Sequence, residues 1–287
     1  MARGDLLRAR RPGCDHLGWL SLVFALGGCS LIVDGDRQQC TVDTDCTALG
    51  AGWEGAVCID SVCAPDPAWA CLGTVTWPPP DPRPGNVTFR IKDLVTEAPL
   101  GGVLAKLCHK LDYFCEHPIK MGMVSNAFGD LMAQVEPGFD GYVEFSAPDK
   151  LPGLYFFFPP INGDREIALP LIGAKDLNLF GSLSGRPALE GRGHVMLGAY
   201  DCTRRPAQGV RLSTEAADAA SGSFYLIEKV PSLTAMATDA SGRGGVINLF
   251  PGPVALTGSL LDGRRLATVG VFVRSDTVTF TTMVPAP

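Results

Sequence analysis

The chain is 287 residues long and carries 24 Lys/Arg against 30 Asp/Glu. Beyond residue 28 it holds 20 basic and 28 acidic side chains with no Lys/Arg cluster, which excludes nucleic acid as a partner, since phosphate backbones demand a basic footprint. No run after Cys29 approaches the roughly 18 apolar residues of a membrane-spanning helix.

The first element lies at the N-terminus. "MARGDLLRARR" sets Arg3, Arg8, Arg10 and Arg11 against Asp5, and the apolar run "LGWLSLVFAL" (Leu17–Leu26) follows. As a helix that run would span about 15 Å, half of a bilayer core of about 30 Å. A basic head, a short apolar run and a small-residue site define an export signal. Its end, Leu26-Gly27-Gly28-Cys29, resembles the lipobox of bacterial lipoproteins. The resemblance implies diacylation of the Cys29 sulfur, cleavage before it and acylation of the new N-terminus. Ser30, where an aspartate would retain some Gram-negative lipoproteins at the inner membrane, implies the outer membrane. The alternative is an ordinary signal peptide that contains a cysteine. Arg10-Arg11 lacks the context of a twin-arginine signal. Acyl chains contribute about 0.8 kcal/mol per buried methylene, so lipidated Cys29 would make the membrane a partner and leave the remainder tethered.

Residues 29–75 form a Cys-rich segment. Apart from Cys14 and Cys29 the chain has eight cysteines: Cys40, Cys46, Cys58, Cys63, Cys71, Cys108, Cys115 and Cys202. An even number in an exported chain points to disulfides. Five fall within residues 40–71, a stretch too short and too poor in aliphatic residues to fold on a core of its own. Cys40, Cys46, Cys58 and Cys63 allow three pairings; the interleaved one, Cys40 with Cys58 and Cys46 with Cys63, is expected. Zinc is disfavoured by the lack of a CxxC pair or a nearby histidine. Asp43, Asp45 and Asp60 read as turn residues rather than calcium ligands. Cys71 and Cys202 have no local partner; joined, they would clamp the end of this knob to the last domain. A short Cys-rich segment after a lipobox resembles the knob of lipoproteins of the myxobacterial type.

"TWPPPDPRPGN" (residues 76–86) reads as a stiff, extended linker, because proline fixes φ and removes a donor. The next 200 or so residues read as all-β. Strand signals recur at Val87–Ile91, Val103–Leu107, Leu131–Val135, Tyr142–Phe145 and Leu154–Phe158. They return at Val195–Ala199, Phe224–Ile227, Val246–Leu249, Val254–Leu256, Ala267–Val273 and Thr277–Thr282, punctuated by Gly, Pro, Asn and Asp. No long stretch shows a capped 3.6-residue period, and Thr214–Ser221 is a loop or one helical turn.

An internal repeat sharpens this reading. Asp93–Leu107 matches Asp201–Thr214, with Pro99 and Pro206 each three residues before a Gly-Val pair. Ser125–Phe145 matches Thr238–Gly258: Asn126 and Asp239 open a turn that Gly129 and Gly242 close, and an apolar strand runs on to Pro137-Gly138 or Pro251-Gly252. The pattern P-x-x-G-V…T-D-x-x-G…P-G is similar to the transthyretin-like sandwich and the carboxypeptidase regulatory-like domain. The second copy matches best; in the first, Asn126 replaces Asp and one residue is missing between Gly and Pro. That resemblance implies two tandem transthyretin-like, Ig-type β-sandwiches, residues 87–190 and 191–287, serving as non-catalytic modules.

Two clusters remain. "CHKLDYFCEHP" (Cys108–Pro118) places Cys108, His109, Cys115, Glu116 and His117 together. Read blandly it is a Cys108–Cys115 disulfide loop with solvated histidines; read sharply, His109, Glu116 and His117 serve an envelope metal-dependent hydrolase, though no HExxH motif supports zinc. No G-x-S-x-G occurs, and neither Gly181–Gly185 nor Ser241–Gly245 has the setting of a catalytic or phosphate loop. The second cluster is Tyr155, Phe156, Phe157 and Phe158. Alternation sends Tyr155 and Phe157 to one face and Phe156 and Phe158 to the other. The four are either a strand buried on both faces where the sandwiches meet or, if exposed, the best binding patch for a protein or glycan. The expected protein is thus an outer-membrane lipoprotein anchored through Cys29, non-catalytic, with no cofactor and no metal.

Overall fold

The computed structural model describes residues 38–50, 53, 55–232 and 234–287. The signal segment and Cys29 lie outside these residues.

The knob has almost no apolar interior. A short helix, α1 (Asp43–Thr47), packs beside a hairpin of β1 (Ala56–Ile59) and β2 (Val62–Pro65). Its centre is Cys40, Cys46, Ala56 and Cys63, so sulfur bridges replace a core. The pairing is the interleaved one, Cys40–Cys58 and Cys46–Cys63. The aspartates act as local acceptors. Asp45 takes the N–H groups of Thr41 (2.7 Å) and Val42 (3.1 Å), and Asp43 takes that of Cys58 (2.9 Å). Asp60 occupies the left-handed turn of the hairpin.

The linker is not a free spacer. Asn162 binds it on both sides, accepting from the Asp81 N–H (2.5 Å) and donating to the Pro79 carbonyl (3.0 Å). The Trp77 ring meets Phe158 edge to face at 5.7 Å. Gly85 and Asn86 already belong to the next strand.

The first repeat comprises β3 (Gly85–Asp93), β4 (Leu104–His109), β5 (Lys120–Val124), β6 (Asp130–Val135), β7 (Gly141–Ser146), β8 (Gly153–Phe156) and β9 (Arg165–Leu171), followed by helix α2 (Ala174–Leu183). The second comprises β10 (Gly193–Ala199), β11 (Arg211–Ser213), β12 (Gly222–Ile227), β13 (Val230–Ser232), β14 (Arg243–Leu249), β15 (Gly252–Ser259), β16 (Arg265–Val273) and β17 (Val278–Met283). The chain forms two β-sandwiches. In the first, β6-β3-β9 faces β5-β4-β7-β8; in the second, β14-β10-β17, extended by β12 and β13, faces β11-β15-β16. Pairing directions repeat: β3 is antiparallel to β6 and parallel to β9, as β10 is to β14 and β17.

The repeat extends to single hydrogen bonds. Ser125 Oγ donates to the Leu100 carbonyl (2.7 Å) and accepts from the Val103 N–H (2.9 Å). Thr238 Oγ1 does the same with Ala207 (2.6 Å) and Val210 (3.0 Å). Asp93 and Asp201 each gather N–H groups two to four residues on. Gly129 and Gly242 have φ of 78° and 66°, and a Cβ there would lie 2.2 Å from the Ile91 carbonyl oxygen and 2.4 Å from that of Ala199. Only glycine meets both demands.

The sandwiches are not two beads. Parallel pairing of β8 with β17 (Gly153 opposite Val278, Tyr155 opposite Phe280) fuses one layer of each into a nine-stranded sheet, β13-β12-β14-β10-β17-β8-β7-β4-β5. Its two faces carry separate cores. Phe145, Tyr155, Phe157 and Phe280 pack with Phe89, Ile91 and Leu169 in one. Tyr142, Leu154, Phe156 and Leu197 pack with Leu256, Val269 and Val271 in the other. Residues 39–287 accordingly form one unit.

Helix α2 departs from the absence of helices expected. Its sequence, "AKDLNLFGSL", begins after Gly173, which offers no capping side chain. Leu177 is buried and Phe180 meets Phe224 edge to face at 5.1 Å, while Leu179 and Leu183 are exposed. Tertiary cover for the end of the sheet, rather than local signals, holds it.

Candidate functional site

The histidine cluster does not assemble. His109 ends β4 facing solvent, and Glu116 and His117 are exposed in the loop beyond. Asp112 organises that loop: its carboxylate accepts the N–H groups of Glu116 (3.0 Å) and His117 (2.8 Å). These bonds, led by that from His117, hold the Asp112 carboxyl below the usual carboxylate range. Among the described residues, the one group of three His, Cys, Asp or Glu donors within 4.8 Å of one another is Cys40, Cys46 and Cys63, whose sulfurs are engaged in disulfides. His109, Glu116 and His117 are therefore not brought together as a ligand set.

The Cys108–Cys115 bridge closes the loop, which braces the two repeats. Tyr142 Oη donates to the Asp112 carbonyl (2.5 Å), and the Tyr113 ring stacks on Phe272 at 4.3 Å. Arg274, from the β16–β17 turn, donates to the Tyr113 carbonyl (2.8 Å), Glu144 (2.7 Å) and Tyr142 Oη (2.9 Å). Cys71 pairs with Cys202, and Trp69 enters the second sandwich's core, so the tail of the knob is bolted to the second repeat.

The aromatic run is not a surface patch. Tyr155, Phe156 and Phe157 are between 2% and 4% exposed, and Phe158 is half-buried under Trp77. The reason is the fused sheet. β8 lies in its interior, so each face of the strand meets a core: Tyr155 and Phe157 on one side, Phe156 and Phe158 on the other.

The residues that do converge are ones the sequence did not single out. A cavity of about 370 Å³ lies between β9, the edge of the three-stranded sheet, and the face of β10, β14 and β17. Met196, Leu226, Phe280 and Val284 give it apolar walls, and Arg165, Arg204 and Arg243 reach it from three different elements. Buried Tyr155 also lines it, and burial pushes its phenol well up. The arginines are 39 and 39 positions apart in sequence, a separation at which no local motif marks them.

Among the described residues, no helix is long and apolar enough to cross a membrane. No family model matches the chain, and no curated protein matches it. Solved structures similar to it include a streptococcal ancillary pilin, at 13% identity and a TM-score of 0.24 over 71% of this chain and 63% of that one. A minor pilin of Streptococcus agalactiae matches at 14% identity and a TM-score of 0.21, over 71% of this chain and 98% of the pilin. The major pilin subunit of Bacillus cereus matches at 10% identity and a TM-score of 0.24, over 70% of this chain and all of that one. Superposition this shallow assigns no role, and the fold described above rests on the chain's own strands.

Proposed function

We propose that the chain is an exported envelope lipoprotein, anchored through acylated Cys29, whose residues 39–287 act as a non-catalytic structural or binding module toward an envelope protein or glycan. The carrying observation is that all eight cysteines after Cys29 are joined pairwise within the chain, the chemistry of an oxidising compartment. The lipobox-like "LGGC" supports the anchor, and the rigid fused sheet suits a module that presents a surface at fixed orientation. The dispersal of His109, Glu116 and His117 gives the hydrolase reading no support.

Mass spectrometry of the natural product tests this. An N-terminal peptide beginning at acylated Cys29 is expected. Residues 1–28 still attached, or a bare thiol at position 29, would overturn the anchor. Stoichiometric zinc in the purified chain, lost on His109→Ala, would overturn the non-catalytic role.

A further inference from the structure

The cavity beside β9 gathers three arginines, Arg165, Arg204 and Arg243, and no ion-paired one. Arg165 is half-buried, and its guanidinium has one hydrogen-bond partner among the described residues, the Pro159 carbonyl at 3.5 Å. No carboxylate lies within 4.0 Å of Arg165, Arg204 or Arg243 among those residues; several surface arginines also lack an ion pair, but Arg165 and Arg243 are half-buried and, with exposed Arg204, converge on one cavity. The acids nearby are already engaged: Glu166, which lines the cavity, with Arg90 (3.2 Å), and Glu97 with Lys229 (2.8 Å). Burial makes the charged form of Arg165 harder to hold, and Arg204 adds like-charge repulsion. An unpaired cation in a low-dielectric site is destabilising in the free protein. Perturbed charged groups lining a cleft concentrate at ligand-binding and active sites.

We propose that this cavity binds an organic carboxylate with an apolar body, a medium-chain fatty-acid-like molecule, with its carboxylate on Arg165 and Arg204 and its chain along Met196, Leu226 and Phe280. The guanidinium fork matches a carboxylate in bidentate fashion. The volume of about 370 Å³ lies in the range of small-molecule sites, roughly 300–1,000 Å³. Apolar walls with a few convergent polar groups are what such sites share. Tyr155 and Tyr200 place phenols at the same cavity. The inference concerns a site separate from Cys29 and holds whether or not that residue is acylated.

The test uses the full chain carrying Cys29→Ser, so that no acyl group of its own competes, purified without detergent. Calorimetric titration with dodecanoate is expected to show one site. Dodecanol, which lacks the charge, and acetate, which lacks the chain, are expected to bind at least tenfold more weakly, and dodecyl phosphate serves as the arm that separates carboxylate from phosphate recognition. Arg165→Met is expected to weaken dodecanoate at least tenfold while leaving the melting temperature of the free protein unchanged or higher, since it removes an unpaired charge. A purely structural arginine would instead lower it. Ala168→Trp, on the exposed side of β9 at the cavity mouth, is expected to block binding with the fold intact. Equal affinity for dodecanol, tighter binding of dodecyl phosphate than of dodecanoate, or unchanged dodecanoate binding in both variants would overturn the proposal.

Discussion

Acidification should destabilise this protein well above the range in which its carboxylates titrate, and the cause is His194. The side chain is 3% exposed on β10, and its Nδ1 accepts the Asn248 N–H at 3.3 Å. That bond needs a neutral ring, because a protonated Nδ1 would set donor against donor. Burial lowers the His194 pKa to about 4, with Asp276 opposing only in part. The unfolded chain titrates near 6.5, so it takes up the proton first as pH falls. Stability is therefore full above about pH 6.5, drains as pH falls, and stops changing from this source below about 4. At about 1.36 kcal/mol per pH unit of difference, the loss across the window amounts to about 3 kcal/mol. Asp93 and Asp218, each lowered to about 2, lose their contributions only below about pH 3.8, outside this window. Urea unfolding from pH 8 to 4, on the wild type and on His194→Asn, isolates the effect. Asparagine keeps an acceptor near Nδ1 but takes up no proton, so its stability should vary less between pH 6.5 and 4 by about 3 kcal/mol. Parallel stability curves for the two proteins would refute the assignment.

Three further outcomes follow from the packing. Gly242→Ala places a Cβ 2.4 Å from the Ala199 carbonyl oxygen at φ of 66° and should cost at least about 2 kcal/mol in chemical denaturation, with Gly129→Ala behaving alike; Gly263→Ala, at positive φ but with nothing within 4 Å, should cost only about 1 kcal/mol. Cys71→Ala with Cys202→Ala opens a link spanning 131 residues; a loss of about 4–5 kcal/mol by chain-entropy reasoning is expected, together with protease cuts between residues 72 and 84 that the wild type resists. Arg274→Met removes the donor to the Tyr113 carbonyl and leaves Glu144 paired with Lys106 alone (3.3 Å), and should cost about 2–3 kcal/mol; Glu144→Gln added to it should cost only about 1 kcal/mol more in a double-mutant cycle, the share of the half-exposed Lys106 pair.

What was legible in the sequence is what short-range chemistry dictates. Ser125 and Thr238 recur because each must close the same turn with a hydroxyl that both donates and accepts. The cysteines of the knob were readable because a segment without a core has few other ways to hold together. Alternation placed Tyr155 and Phe157 opposite Phe156 and Phe158, since a strand has a period of two. The parts not legible depend on distance along the chain. β8 pairs with β17 across more than 120 positions, and nothing local announces that partnership. Strand β9 was hidden by Pro170, which an edge strand tolerates because its missing N–H has no ladder partner to disappoint. Nothing local marks the three cavity arginines; β9, β14 and the turn after β10 bring them to one cavity.

The fused sheet also explains why two copies of one pattern ended in different states. In each repeat the strand parallel to the first (β9 or β17) closes one layer. β17 has β8 on its other side, so its backbone groups are satisfied across both edges, whereas β9 is left as an open edge over the cavity. Separating the repeats would expose Leu154, Tyr155, Phe156 and Phe280 at once, each worth about 1.5–3 kcal/mol in burial, and would free both edges of a strand pair that water alone must then satisfy. One repeat thus uses its parallel strand to join the halves into one unit, and the other keeps the equivalent strand open beside the cavity arginines. The asymmetry between two otherwise matching sandwiches joins the halves at β17 and leaves an open edge at β9.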